Sequence, residues 1–143
     1  MAIKTDTESL KKLQKAFKNR YGIELHIHPD PYHRTDCSYI KDGKIVEVEV
    51  KCRRLPSTRY PDFILSRPKF EYISHTDAAL AYMYDDGFIW IRHPGEAAVK
   101  NQDGSVAYRK VWHQKTQDFA DKSYIEEDCA VFTLEDKKLL PYE

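Results

Sequence analysis

A turn signal at Asp42-Gly43 constrains the fold of this chain more than any other feature. The pair separates "TDCSYIK" from "KIVEVEVK", two stretches in which apolar and polar residues alternate as they do in half-buried strands. The tight turn whose twist matches a pair of antiparallel strands needs positive φ at both central residues, and Asp-Gly adopts that conformation readily. The sequence therefore predicts a β-hairpin with a two-residue loop.

The two-residue loop also fixes the register of the hairpin. Counting outward from the loop, Asp36 lies opposite Glu49, and Lys51 lies on the same strand face as Glu49 because side chains alternate. Directly opposed carboxylates repel each other unless a cation lies between them. Carboxylate and carbonyl oxygens are the ligands that Mg²⁺ prefers. We therefore predict a Mg²⁺ (or Mn²⁺) site held by Asp36, Glu49 and the backbone carbonyl of Val50, with Lys51 beside it.

Helices are predicted on both sides of this hairpin. The first begins where Thr5 can cap the backbone and Glu8 can return the bond, and it ends near Tyr21 at Gly22. The second is a short helix that Ser66 would cap and that ends near His75.

Several other segments have recognisable patterns. "IELHIH" alternates as a short strand, "AALAYMY" and "FIWIRH" flank a turn and predict a second hairpin, and "SVAYRKVWH" and "CAVFTL" predict further strands. The stretch "CRRLPSTRYPDFIL", rich in turn residues, is expected to be irregular.

Composition places the chain in a broad class. With 143 residues, 41% of them apolar, we expect one domain spanning residues 1–143 that buries its own core. No stretch approaches the ~20 apolar residues that span a bilayer, and the three cysteines form no C-x-x-C pair. The pattern is typical of a soluble cytoplasmic protein with reduced thiols and without a membrane partner.

The spacing of the acidic hairpin resembles that of a known family. Asp36, a gap of twelve residues and then Glu49-Val50-Lys51 is similar to the D…E-x-K signature of the PD-(D/E)XK nuclease superfamily, which includes restriction endonucleases and Holliday junction resolvases. In that family the hairpin follows one helix and precedes another, as it does here between Thr5 and Arg92. Asp36 follows Thr35 rather than proline.

The resemblance implies a fold, an activity and a partner. The fold would be α/β, with a mixed central sheet flanked by helices, as in restriction endonucleases. The activity would be Mg²⁺-dependent hydrolysis of phosphodiester bonds in nucleic acid, DNA being the expected substrate, with Asp36, Glu49 and Lys51 as catalytic residues; cleavage of branched DNA would require a homodimer. Lys69 resembles the basic residue that the following helix often carries near the active site. The alternative is a nucleic-acid-binding or regulatory protein that keeps the fold without turnover.

Other polar residues surround this motif. A basic run that only Asp62 opposes locally is expected to form a phosphate-binding rim: Arg53, Arg54, Arg59, Arg67 and Lys69. His26, His28 and His33 are interpreted as a polar surface beside the substrate groove, because zinc needs three or four ligands and no further partner has a suitable spacing. Glu47 is interpreted as a solvated neighbour, and whether Glu8 or Glu47 joins the metal site is left open.

Overall fold

A computed structural model of the chain describes residues 6–30, 32–114 and 124–143. Within these ranges the chain forms three helices, α1 (Thr7–Tyr21), α2 (Arg67–His75) and α3 (Pro94–Ala97). The same ranges contain eight strands, β1 (His26–Ile27), β2 (Cys37–Lys41), β3 (Lys44–Cys52), β4 (Asp62–Ser66), β5 (Ala79–Tyr84), β6 (Gly87–Ile91), β7 (Arg109–Gln114) and β8 (Tyr124–Thr133). The protein is therefore α/β.

The two main helices have the predicted extents. In α1 the N-cap is Asp6, whose carboxylate accepts a hydrogen bond from the Ser9 amide at 2.9 Å, whereas Thr5, the predicted cap, lies outside the described residues. Gly22 ends α1 in the left-handed conformation, as predicted, with φ of 66°. Ser66 occupies the N-cap position of α2, as predicted, but its side chain makes no capping hydrogen bond.

The predicted hairpin register is confirmed. Strands β2 and β3 are antiparallel, with Lys41 opposite Lys44 and Ser38 opposite Glu47. The turn has positive φ at both central residues, 53° at Asp42 and 76° at Gly43. The predicted strand "IELHIH" is shorter than expected, since β1 covers only two residues. It pairs with β2 on the side of β2 that faces away from β3.

Strand β3 is the central strand of a mixed five-stranded sheet with the order β1-β2-β3-β5-β6. The β3–β5 pair is parallel, and β5 and β6 form the predicted second hairpin, with Tyr84 opposite Gly87. The connection between β3 and β5 contains β4 and α2, so a helix separates the two parallel strands as such a crossover requires.

A second, three-stranded sheet with the order β4-β8-β7 was not predicted as a unit. The two tail strands β7 and β8 form approximately where the sequence placed them. The "DFIL" segment, however, forms β4 and pairs with β8, so the expectation that it would be irregular is wrong. Phe63 and Leu65 alternate as buried residues along β4, and they need the apolar face of β8 to cover them.

Two apolar clusters pack on opposite faces of the five-stranded sheet. The first lies between α1 and one sheet face, and it includes Leu13 and Phe17 of α1 with Val48 and Val50 of β3. The second contains the other face of β5 and β6 together with α2, β4 and β8. Because valines alternate with acids along β3, the acidic face of β3 looks toward the side that α2 and the second sheet cover. Among the described residues, no helix is both long and apolar enough to cross a membrane.

We expect Gly43→Val to destabilise the protein by roughly 1 to 3 kcal/mol, because a β-branched residue is strained at positive φ. An added Cβ at Gly43 meets nothing within 4 Å, so the loss would report backbone conformation rather than a clash. Urea denaturation monitored by circular dichroism measures the change. Lys44→Val, one residue further on in β3, is the control and should stay within about 0.5 kcal/mol of the wild type. Equal stability of both variants would contradict the turn assignment.

Candidate functional site

The acidic pair predicted from the register is buried at one end of the β2–β3 hairpin. Asp36 immediately precedes β2, and its backbone amide donates at 3.2 Å to the carbonyl of Val48, the residue that is paired with Cys37. Its carboxylate accepts a hydrogen bond from the Val50 amide at 2.9 Å. Asp36 is 3% exposed and Glu49 is 9% exposed. Two carboxyl groups are therefore largely removed from water, and they are near enough for the charge of Asp36 to act on Glu49.

The pKa of Glu49 is raised by its surroundings. Burial raises the pKa of Glu49 to about 7, and the neighbouring charge of Asp36 adds to the rise, while Lys69 and Lys51 act in the opposite direction. Oxygen Oε2 of Glu49 is buried and lacks a hydrogen-bond partner among the described residues. The nearest cationic atom recorded is Nζ of Lys69 at 3.6 Å, beyond hydrogen-bond length. A buried, unsatisfied carboxylate oxygen beside a second acid is a position that a bound cation would stabilise.

Lys51 and Lys69 approach Glu49 from different elements. Lys51 is exposed on β3, and its charge lowers the pKa of Glu49. Lys69 lies in the first turn of α2 and donates a hydrogen bond to the backbone carbonyl of Arg34 at 3.2 Å. The crossover helix therefore places Lys69 beside Glu49, with 3.6 Å between Nζ and Oε2.

The basic run after the motif is less uniform than the sequence suggests. Arg67 forms ion pairs with Glu71 at 2.6 Å and Asp128 at 3.5 Å, and Arg54 lies 3.4 Å from Asp6. Asp6 and Asp128 lie far along the chain from their arginine partners, whereas Glu71 lies one helical turn after Arg67. Arg67 is consequently a weaker candidate for a phosphate contact than its position in the sequence implied.

Arg53 and Arg59 form a different arrangement around one aromatic ring. Their guanidinium carbons lie 5.7 Å and 5.8 Å from the centre of the Tyr60 ring. Asp62, the predicted local counter-charge, pairs with Arg109 of β7 at 2.8 Å. Two guanidinium groups around an exposed tyrosine can contact both a phosphate and a base.

Glu47 is not the solvated neighbour that the sequence suggested. Its Oε2 lies 3.0 Å from Nε2 of His28 and accepts a hydrogen bond from the Thr35 hydroxyl at 2.5 Å. Burial raises the pKa of Glu47, but the bonds from Thr35 and His28 outweigh it, so the pKa lies below its usual value. The ring of His33 stacks on that of His28, with 3.7 Å between ring centres.

The register of β1 against β2 places His28 beside Asp36, and no spacing in the sequence indicated its contact with Glu47. His26 pairs with Ser38, so His28 falls beside Asp36, and its amide donates to the Asp36 carbonyl at 3.1 Å. Glu8, by contrast, is exposed on α1, which packs on the opposite face of the sheet. Glu8 is therefore not placed with the acidic pair.

Comparison with known proteins adds no further constraint. No family model matches the chain, and no curated protein matches it.

The pKa of Glu49 predicts how the stability of the metal-free protein depends on pH. Between its ordinary value of 4.5 and the folded value of about 7, the folded state binds a proton that the unfolded state has released. The free energy of unfolding should therefore fall as pH rises through this window, by up to about 3 kcal/mol, and this contribution should be constant at higher pH.

Urea denaturation in EDTA at a series of pH values between 4.5 and 8 measures this contribution as the difference between wild type and Glu49→Gln. The exposed Glu135 supplies the control, since Glu135→Gln should follow the wild-type curve. If the Glu49→Gln curve runs parallel to the wild type, the carboxyl is not titrating in a buried environment.

Proposed function

We propose that this protein is a Mg²⁺-dependent endonuclease that hydrolyses phosphodiester bonds, with DNA as the expected substrate and with a fold of the restriction-endonuclease type. The observation that carries the proposal is the buried Asp36–Glu49 pair, in which an unsatisfied carboxylate oxygen lies beside a second acid. A protein without a ligand at this position would retain two opposed acids at a cost in stability. A cation offsets that cost.

The donor atoms at this position fit Mg²⁺. Asp36, Glu49 and the Val50 carbonyl would hold the ion as an all-oxygen set, completed by water. When bound, Mg²⁺ lowers the pKa of a coordinated water and neutralises charge on the scissile phosphate. The hydrogen bond from the Val50 amide to Asp36 fixes the orientation of that carboxylate on the strand, so the first ligand is positioned before the ion arrives.

The two lysines have separate roles in the proposed mechanism. Lys51 projects from the acidic face of β3, where its ammonium group would orient the attacking water and stabilise negative charge that develops on the phosphate. Lys69 is held by the Arg34 carbonyl and would keep Glu49 in its charged form while the site fills. The order of elements supports the same assignment, since a helix, the acidic hairpin and a second helix succeed one another as in the nuclease family.

Substrate would lie along the surface that continues from β3 into the following loop. Arg53 and Arg59 frame Tyr60 there, and the side chain of Arg54 is 85% exposed. These residues would hold the phosphate backbone without reading its sequence.

Lys51→Ala should separate catalysis from binding. The carboxylates that hold the ion remain, so Mg²⁺ and substrate should still bind while the hydrolytic step slows by roughly 10² to 10³, as for the loss of one transition-state donor. Asp36→Ala should abolish cleavage through loss of the ion, with partial recovery in Mn²⁺. Single-turnover nicking of plasmid DNA in Mg²⁺, Mn²⁺ or EDTA measures both effects. The control is Lys44→Ala, at the exposed start of the same strand, which should cleave at the wild-type rate.

Wild-type cleavage rates in Lys51→Ala would show that this lysine is an ordinary surface residue. If the wild-type protein cleaves no duplex, branched or single-stranded substrate in either metal, the chain is better described as a binding or regulatory protein without turnover.

The arginines around Tyr60 are expected to contribute to DNA binding. Replacing Arg53, Arg54 and Arg59 together by Ala should weaken DNA affinity at low salt. Each phosphate contact that is lost should also reduce the slope of log affinity against log salt by about 0.9. Fluorescence anisotropy with a labelled duplex in Ca²⁺, at several salt concentrations, measures both quantities.

A charge-matched control comes from the opposite side of the sheet. The exposed α1 residues Lys11, Lys15 and Arg20, changed together to Ala, should leave the slope unchanged. If the α1 variant loses the slope and the arginine variant keeps it, DNA binds to the helix face instead.

A further inference from the structure

Three potential metal ligands that the proposed nuclease site does not use converge beside it. The ligating atoms of His28, His33 and Glu47 all lie within 4.8 Å of one another. The His28–Glu47 contact is 3.0 Å, and the two imidazoles stack with an interplanar angle of 18°. We call these three residues the His–Glu cluster. They come from the end of β1, the β1–β2 loop and β3, so the fold brings together residues that are distant in sequence.

We propose that the His–Glu cluster is a second cation site, which binds a divalent transition metal of the Zn²⁺ class. Two imidazole nitrogens and one carboxylate oxygen form a ligand set that zinc sites use, with water in the remaining position. Imidazole favours zinc and related ions, whereas Mg²⁺ prefers oxygen. Ligand atoms around tetrahedral zinc stand roughly 3.3 Å apart, given bonds of about 2.0 to 2.1 Å. The separation of His28 Nε2 and Glu47 Oε2, 3.0 Å, is close to that spacing. The stacked imidazoles would have to rotate out of parallel for both rings to direct a nitrogen at one ion.

Thr35 contacts two of the three ligands and would orient them around an ion. Thr35 is 1% exposed, and its hydroxyl donates to Oε2 of Glu47. Nδ1 of His33 lies 3.2 Å from the Thr35 carbonyl oxygen. The Thr35 backbone amide donates to the same Nδ1 at 3.2 Å, so Nδ1 keeps a lone pair in this arrangement. A metal bound through Nε2 would require the other tautomer, in which Nδ1 donates to the Thr35 carbonyl. Such contacts fix ring orientation and tautomer around bound ions.

The His–Glu cluster is distinct from the acidic pair, and the proposal does not depend on nuclease activity. Glu47 and Glu49 are two residues apart on β3, a separation of about 6.6 to 6.8 Å along a strand. An ion in the cluster would connect His28 and His33 to β3. Asp36 lies three residues after His33, and its carbonyl already accepts a hydrogen bond from the His28 amide. The second ion would therefore stabilise the backbone that positions the first.

Isothermal titration of the full chain with Zn²⁺ in the presence of excess Mg²⁺ tests the proposal, with Co²⁺ absorption as a second readout of the ligand set. We expect one Zn²⁺ per chain and visible Co²⁺ bands of a four-coordinate site containing nitrogen. His28→Ala, His33→Ala and Glu47→Gln should each lower Zn²⁺ affinity by at least about 100-fold, since even the loss of residues that only orient a ligand reduces affinity 10- to 100-fold.

Two controls separate the cluster from its neighbours. His26→Ala removes an imidazole whose ring centre is 5.4 Å from that of His28 but which is not part of the cluster, and it should bind Zn²⁺ as the wild type does. The double variant Asp36→Asn, Glu49→Gln should also retain Zn²⁺. Loss of binding in the double variant would assign the ion to the acidic pair and overturn the proposal.

Thermal unfolding shows whether each variant is folded. Zn²⁺ should raise the unfolding temperature of wild type and of His26→Ala, because a ligand that binds only the folded state stabilises it. The His33→Ala variant should unfold cooperatively in EDTA and gain nothing from Zn²⁺. No Zn²⁺ binding by the wild type, or unchanged binding in the three cluster variants, would show that His28 and Glu47 form an ion pair only.

Discussion

The site depends on strand β3 being paired on both sides while carrying charge on one face. Antiparallel β2 and parallel β5 satisfy its backbone, and Val48 and Val50 anchor its other face in the core beneath α1. A strand that is paired on both sides and packed on one face can carry residues that would by themselves lower the folding stability. Glu49 is such a residue, because its carboxyl is buried beside Asp36 and its pKa is raised to about 7. Local instability of this kind is common where proteins bind ions or carry out proton transfer.

Elements from distant parts of the chain complete the surroundings of β3. The crossover helix α2 brings Lys69 to within 3.6 Å of Glu49, and the segment before β2 brings His28 and Thr35 to Glu47. Cationic and imidazole groups thus lie around two successive glutamates of one strand. The oxygen-rich environment of Glu49 and the nitrogen-containing environment of Glu47 favour different ions, so the same strand face supports two separate proposals.

Some of the architecture follows from short-range chemistry, and the sequence predicted it. The Asp42-Gly43 turn, the hairpin register and the end of α1 at Gly22 each depend on the conformational preference of one or two residues and are confirmed. The prediction that the residues around Phe63 are irregular was wrong, because their conformation depends on a contact with a distant segment. A short strand such as β4 is specified mainly by its partner, and its partner β8 lies more than sixty residues away.

The sequence by itself predicted that Asp36 and Glu49 oppose each other, because alternation along two strands and a two-residue turn leave one register. The structure confirms that register for residues 37–41 and 44–48. Only the tertiary structure decided how deeply this pair is buried, which lysine reaches it and which neighbours Glu47 has. It likewise decided that Arg67 is paired with Glu71 and Asp128, whereas Arg53 and Arg59 surround Tyr60. Register is a local property that follows from spacing. Burial and charge pairing depend on which distant segments pack together, and the spacing of residues in one segment carries no information about that.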